Sequence, residues 1–133
     1  MTVYPRQIYI VDDDLSFGRA LKRLLNARGL AADYFTSAQS FFDTIPANRQ
    51  GFVILDIQMP ECDGFTLLDK LHQLHYDLPA IVVTGQTRPC ARELALEKGA
   101  VGFLLKPFTE DSLLAALTKA AESAGDPQCR RSI

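Results

Sequence analysis

The 133-residue sequence predicts an α/β fold: a doubly wound, five-stranded parallel sheet with helices on both faces. Two observations predict it. Short apolar runs alternate five times with stretches whose apolar residues recur at spacings of three and four, with no internal repeat and no linker. Three of the runs, at 8–11, 52–55 and 80–83, are apolar throughout instead of alternating with polar residues, as a strand buried on both faces reads.

Ile8 to Val11 is the first strand. Phe17, Leu21, Leu24, Leu25 and Arg28 then follow at helical spacing, Asp14 is placed to cap them, and Gly29 closes the helix. Ala31 to Phe35 is a weaker, mixed strand. Ser37 is an N-cap for a short helix to about Thr44, stopped by Pro46. Phe52 to Leu55 is strand three. Asp63 is placed to cap a helix from Gly64 to about Leu74, with Leu67, Leu68 and Leu71 on its buried face. Ala80 to Val83 is strand four, and Ala91 to Lys98 is helical up to Gly99. Phe103 to Leu105 is a short fifth strand. Thr109 caps the last helix, which carries Leu113, Leu114, Leu117 and Ala121. Gly125-Asp126-Pro127 breaks that helix, so residues 1–124 read as one domain and 125–133 as a tail or the start of a linker.

With the apolar strands one, three and four central, and the short or mixed strands two and five at the edges, right-handed crossovers favour the flavodoxin-like order 2-1-3-4-5. In such a sheet ligands sit beyond the carboxyl ends of the strands, at the switch point between strands one and three.

Composition narrows the function classes. The chain is 47% apolar and 23% charged, ordinary for a soluble globular domain, and no apolar run approaches a membrane span. The first residues lack the features of a signal peptide, so a cytoplasmic protein is expected. Cys62, Cys90 and Cys129 are odd in number and widely spaced, which argues against a disulfide framework or a zinc site. A net charge of −2 with no basic block beyond Arg130-Arg131 argues against direct nucleic-acid binding.

The chemistry stands at the strand ends. Strand one runs into Asp12-Asp13-Asp14, strand three into Asp56, strand four into Thr84-Gly85 and strand five into Lys106-Pro107. Turn and cap roles explain one acid or another, and Asp14 is the clearest cap. Several carboxylates in one crevice repel each other. A hard cation such as Mg2+, which takes carboxylate, water and phosphate oxygens, resolves the repulsion. Lys106 adds a mobile positive charge and Thr84 a hydroxyl donor. The set fits an aspartate that accepts a phosphoryl group while metal, Lys and Thr hold its oxygens.

Four motifs in order, VDDD, LDIQMPECDG, VVTG and LLKPF, resemble the response-regulator receiver domain of two-component signalling over about residues 6 to 123. The resemblance implies that Asp56 is the phosphoacceptor, that Asp13 binds Mg2+ directly and Asp12 through water, and that the Gln58 backbone carbonyl is a further ligand. It implies that Lys106 pairs with the phosphoryl group or with Asp56, across a cis Lys106-Pro107 bond. Pro60 would shape the loop that aims the Gln58 carbonyl, and Gly64 would let the backbone turn into the helix. Thr84 and Phe103 would be the activation switch, with Phe103 rotating from an exposed to a buried position. Thr84-Gly85, Phe103 and the KPF ending look most like receivers of nitrogen-fixation-type transcription regulators. The partners so implied are a sensor histidine kinase, a phosphorylation-dependent homodimer through the face of helix four, strand five and helix five, and a C-terminal DNA-binding output domain.

Two other classes fit less well. A haloacid-dehalogenase-type phosphatase also carries an aspartate nucleophile after an apolar strand, but wants a second acid two residues on, where this chain has Gln58. A flavin-binding module of the same fold needs a hydroxyl- and glycine-rich loop after strand one, where three aspartates would repel the flavin phosphate. The expectation is therefore a non-enzyme whose only chemistry is phosphorylation and autodephosphorylation of its own Asp.

Overall fold

A computed structural model of the chain describes residues 7–58, 64–85 and 90–124. The elements run β1 (Gln7–Val11), α1 (Leu15–Ala27), β2 (Ala31–Phe35), α2 (Ala38–Thr44), β3 (Phe52–Asp56), α3 (Gly64–Gln73), β4 (Ala80–Thr84), α4 (Ala91–Glu97), β5 (Gly102–Leu105) and α5 (Glu110–Ala124). The five strands form one parallel sheet in the order β2-β1-β3-β4-β5, as the run pattern predicts. β3 and β4 are buried at every residue and β1 at all but its first, whereas β2 and β5 are only partly covered. Edge strands carry half the neighbours of central ones, so their sequences tolerate Asp33, Tyr34 and Gly102.

Side chains alternate across the sheet, and each face has its own core. Tyr9, Val11, Val53, Leu55 and Val82 pack with Phe41 of α2, Leu67, Leu68 and Leu71 of α3, and Ala91 and Ala95 of α4. Ile8, Ile10, Ile54, Ile81 and Val83 pack with Leu21 and Leu25 of α1 and Leu113 and Leu117 of α5. Every leucine that helical spacing assigned to the inner faces of α3 and α5 is buried.

The caps form as the sequence expects. Asp14 Oδ1 accepts from the Phe17 N–H at 3.1 Å, Ser37 Oγ from Ser40 N–H at 3.1 Å and Thr109 Oγ1 from Ser112 N–H at 3.0 Å. Asp63, the cap expected for α3, lies outside the described residues, as do Pro60, Cys62 and Cys129; Cys90 is a free, exposed thiol. Helix α4 begins after Cys90 with no side-chain cap. The Lys106-Pro107 peptide bond is cis, in agreement with the expectation.

One glycine explains how α1 lies on the sheet. A Cβ at Gly18 would stand 2.1 Å from Cε1 of the Tyr34 ring, so the helix and β2 meet there with room for hydrogen only. Forcing a methyl against a packed ring costs about 1–3 kcal/mol, more than the roughly 0.5–1 kcal/mol that alanine gains over glycine in a helix. Gly18→Ala is therefore expected to lose about 1–2 kcal/mol in urea unfolding, and the loss should vanish in a Tyr34→Leu background. A wild-type midpoint for the single variant would show that the ring yields freely.

Candidate functional site

The β1–β3 ladder pairs Ile10 with Ile54 and Val11 with Leu55. One step further along the same register brings Asp12 beside Asp56, both at the carboxyl end of the sheet. Neither is open to solvent: Asp12 is 1% exposed and Asp56 5%. β5 ends beside β4, where the Lys106 N–H donates to the Thr84 carbonyl at 2.7 Å. From there the Lys106 Nζ reaches Asp12 Oδ2 at 2.9 Å and Asp56 Oδ2 at 3.1 Å.

Each carboxylate spends its other oxygen on the backbone. Asp12 Oδ1 accepts from Asp14 N–H at 2.9 Å, and Asp56 Oδ1 accepts from Gln58 N–H at 2.8 Å. Both are the two-residue Asx turns that Asp favours at the end of a strand. These bonds fix the planes of the carboxylates before any ligand arrives.

Asp13 completes the group. It is exposed, and one oxygen each from Asp12, Asp13 and Asp56 lie within 4.8 Å of one another. An all-oxygen donor set with two held carboxylates and one open to water fits a hard divalent cation such as Mg2+. Gln58 sits half-buried immediately beyond Asp56. Its backbone N–H is used within the protein, by Asp56 Oδ1.

Thr84 is the last residue of β4 and fully buried. The β4–β5 register pairs Val82 with Phe103, so Thr84, two residues beyond Val82, projects to the same sheet face as Phe103. The structure thus brings the two switch candidates to one side. Phe103 is half-buried against the core of α2, α3 and α4, intermediate between the exposed and buried positions expected for it.

Gly64 holds its place for a reason other than the expected turn. Its backbone is not in the left-handed region; a Cβ there would instead stand 2.5 Å from Ile57 Cα and 2.7 Å from the Asp56 carbonyl oxygen. The first turn of α3 lies directly on the end of β3, with Gly64 N–H donating to Ile57 O at 3.2 Å. Only glycine permits that approach, and it pins the backbone that carries Asp56.

Three supporting residues escaped sequence reasoning. Tyr34 donates its hydroxyl to the Asp12 backbone carbonyl at 2.7 Å, bracing the acidic loop from β2. Gly18 makes room for that ring. Phe17, read only as one of the helically spaced residues of α1, lies beneath Lys106, with Nζ 3.9 Å from the ring centroid. The polar tip of Tyr34 beside Asp33 on a mixed edge strand was no clear signal, and nothing in spacing alone tells a seat for a lysine from a core phenylalanine.

The charges are not at their ordinary values. Burial raises the Asp12 pKa; the Asp14 N–H and Lys106 offset this in part, and the Asp56 charge adds to it. Burial alone would lower the Lys106 pKa, but hydrogen bonds and charge from Asp12 and Asp56 outweigh it, leaving the ammonium raised above 10.5. A raised lysine contributes stability that is fully present below its unfolded value and lost as pH rises through its folded value. Lys106→Met should be less stable than the wild type at neutral pH, by at most about 3–5 kcal/mol because the lysine keeps some solvent contact. The gap should close as pH climbs beyond the ordinary lysine value. Urea titrations of both proteins across the alkaline range measure it; a gap independent of pH would mean that Lys106 acts by packing.

Comparison with known proteins agrees with this geometry. The family model for the response regulator receiver domain matches residues 8–118. The transcriptional regulatory protein FixJ of Bradyrhizobium diazoefficiens is 37% identical over 118 residues, covering 88% of this chain and 57% of that protein. The response regulator protein TodT of Pseudomonas putida is 37% identical over 123 residues, covering 92% of this chain and 53% of that protein. The chain thus spans little more than half the length of these relatives. The crystal structure of FixJ-N superposes with a TM-score of 0.81 at 33% identity, covering 92% of this chain and 96% of that one. Full-length FixJ from B. japonicum gives 0.83 at 34% identity, covering 96% and 62%. With a family model that matches most of its length, relatives at 37% identity and the sheet order 2-1-3-4-5, the chain belongs to the response regulator receiver domain family.

Proposed function

We propose that this receiver takes a phosphoryl group from a sensor histidine kinase onto Asp56. The observation that carries the proposal is the bridge from Lys106 Nζ to Asp12 at 2.9 Å and Asp56 at 3.1 Å, beside the open Asp13 carboxylate. An Asp56 oxygen attacks phosphorus, the bond from phosphorus to the donor breaks, and an acyl phosphate forms. Asp13, Asp12, Asp56 and the Gln58 carbonyl would hold Mg2+, Asp12 through water. Bound there, Mg2+ would neutralise the charge of the incoming phosphoryl oxygens. Lys106 follows the charge from the carboxylate to the phosphoryl group, and Thr84 donates its hydroxyl to a phosphoryl oxygen. The chain acts on no separate substrate; its chemistry is phosphorylation and autodephosphorylation of Asp56.

Incubation with acetyl phosphate should add one phosphate by intact mass in the wild type, only with Mg2+, and none in Asp56→Asn. Equal labelling of that variant would overturn the assignment.

The receiver unit spans residues 1–124, with 125–133 as a tail or the start of a linker; the family match over 8–118 supports this. The name of FixJ, a transcriptional regulatory protein, and the greater length of full-length FixJ support an output through transcription, which on this reading is exerted by a C-terminal DNA-binding domain in a cytoplasmic protein. No helix among the described residues is long and apolar enough to cross a membrane. A stand-alone receiver acting by protein contact is the second reading.

Output is read on the face of α4, β5 and α5. Leu96, Val101 and Leu105 are exposed there at 43%, 36% and 46%. An apolar strip of this kind suits a second copy of the chain, as the beryllofluoride-activated NtrC4 receiver dimer, 27% identical with a TM-score of 0.78, illustrates for its own chain. Thr84 drawn toward the phosphoryl group frees space for Phe103 to turn fully inward. A charge-assisted hydrogen bond of about 1.5–3 kcal/mol shifts such an equilibrium roughly ten- to a hundredfold. Sedimentation with beryllofluoride should show a heavier species than without it. An unchanged mass, with unchanged amide signals around Phe103, would count against the switch.

A further inference from the structure

We propose that Phe17 is a positioning residue for Lys106: its ring is the seat that keeps the ammonium at the site while the carboxylates change state. The proposal rests on the reading of Asp56 as phosphoacceptor. Among the described residues, Lys106 Nζ touches three things, Asp12 Oδ2, Asp56 Oδ2 and the face of Phe17 at 3.9 Å. Two of the three contacts are altered by the reaction. Asp12 and Asp56 are the same carboxylates that would turn toward a metal ion, and phosphorylation converts the Asp56 carboxylate into an acyl phosphate. A lysine on a flexible four-carbon stem would then be free to swing out to water. The ring contact is untouched by either change. An aromatic face attracts an ammonium through its quadrupole, more so away from solvent.

The ring is itself held from both ends. The Phe17 N–H donates to Asp14 Oδ1 at 3.1 Å, so the acidic loop that carries Asp12 and Asp13 also sets the first turn of α1. Phe108, two residues beyond Lys106, meets Phe17 edge-on, with centroids 5.9 Å apart and planes at 89°. The lysine thus stands over a ring that is anchored by the acidic loop on one side and by its own chain on the other. A phenylalanine serving only as core filler would need no ammonium over its face. Its contacts with the core of α1 and α5 would survive a leucine of similar bulk.

The experiment compares wild type, Phe17→Leu, Phe17→Tyr and a protein with trifluorophenylalanine placed at position 17. Two readouts are taken: the rate of phosphorylation by acetyl phosphate with Mg2+, and the proton shift of the Lys106 ε-methylene. Fluorination keeps the shape and withdraws the ring's negative face, so it separates seat from filler even if the leucine variant folds poorly. The expected loss of rate is about three- to tenfold in Phe17→Leu and in the fluorinated protein, the effect of about 0.7–1.4 kcal/mol at 1.4 kcal/mol per decade. Phe17→Tyr restores the rate. The Lys106 ε-protons are shifted upfield by the ring in the wild type and return toward the values of exposed lysines in Phe17→Leu. A wild-type rate in the fluorinated protein, or unshifted ε-protons in the wild type, would overturn the seat. A wild type that takes no phosphate but shows the upfield shift would overturn Asp56 as acceptor and leave the Lys106 seat standing.

Discussion

Everything at the working end of this domain depends on two carboxylates being buried side by side under one ammonium. Two unit charges about 4 Å apart, in surroundings of effective dielectric about 20, interact by about 4 kcal/mol. Asp12 and Asp56 alone would repel on that scale. Lys106 faces both, at 2.9 and 3.1 Å, so two attractions stand against one repulsion and the cluster becomes tolerable. The balance is still delicate. Burial leaves Asp12 harder to ionise than an ordinary aspartate despite its partner. A site held so close to balance responds strongly to any added charge, whether a cation beside Asp13 or a phosphoryl group on Asp56.

The sheet register sets the spacing of these charges, and close packing keeps it. Parallel pairing of Val11 with Leu55 leaves no choice about where Asp12 and Asp56 emerge. The backbone N–H groups of Asp14 and Gln58 then fix one oxygen of each. Tyr34 braces the Asp12 carbonyl from the edge strand, through space that exists only because residue 18 has no side chain. Gly64 lets α3 rest on the end of β3 in the same way. Both glycines matter through missing atoms, not through unusual backbone angles.

The same sheet connects this end to a surface. β4 ends at the buried Thr84 and runs beside β5, whose Phe103 is half-buried on the same face. The end of helix α4 is tied to α3 by the Lys98–Asp69 ion pair at 2.9 Å, and Leu96 of α4, Val101, and Leu105 of β5 are exposed. An ion pair with that much solvent contact is worth little energy, so the helix is held chiefly by Ala91 and Ala95, both buried in the core.

The sequence by itself determined the fold and the polar groups that the strand ends gather. Apolar runs without alternation mark β1, β3 and β4 as central, helical spacing marks the inner faces of α3 and α5, and Asp14, Ser37 and Thr109 mark helix starts through local hydrogen bonds. Asp12, Asp13, Asp56, Thr84 and Lys106 were legible because each stands at the carboxyl end of a strand or within two residues of it, and a parallel sheet gathers its strand ends on one edge. Only the tertiary structure decided what supports them. Tyr34 and Phe17 come from an edge strand and the first turn of a helix, where their residue types suit ordinary packing equally well. Gly64 could be read from sequence only as a turn, because a contact with Ile57 Cα has no signature in the chain's own order. Periodicity reports which face a residue lies on, and contact across elements depends on angles and distances that no spacing along the chain encodes.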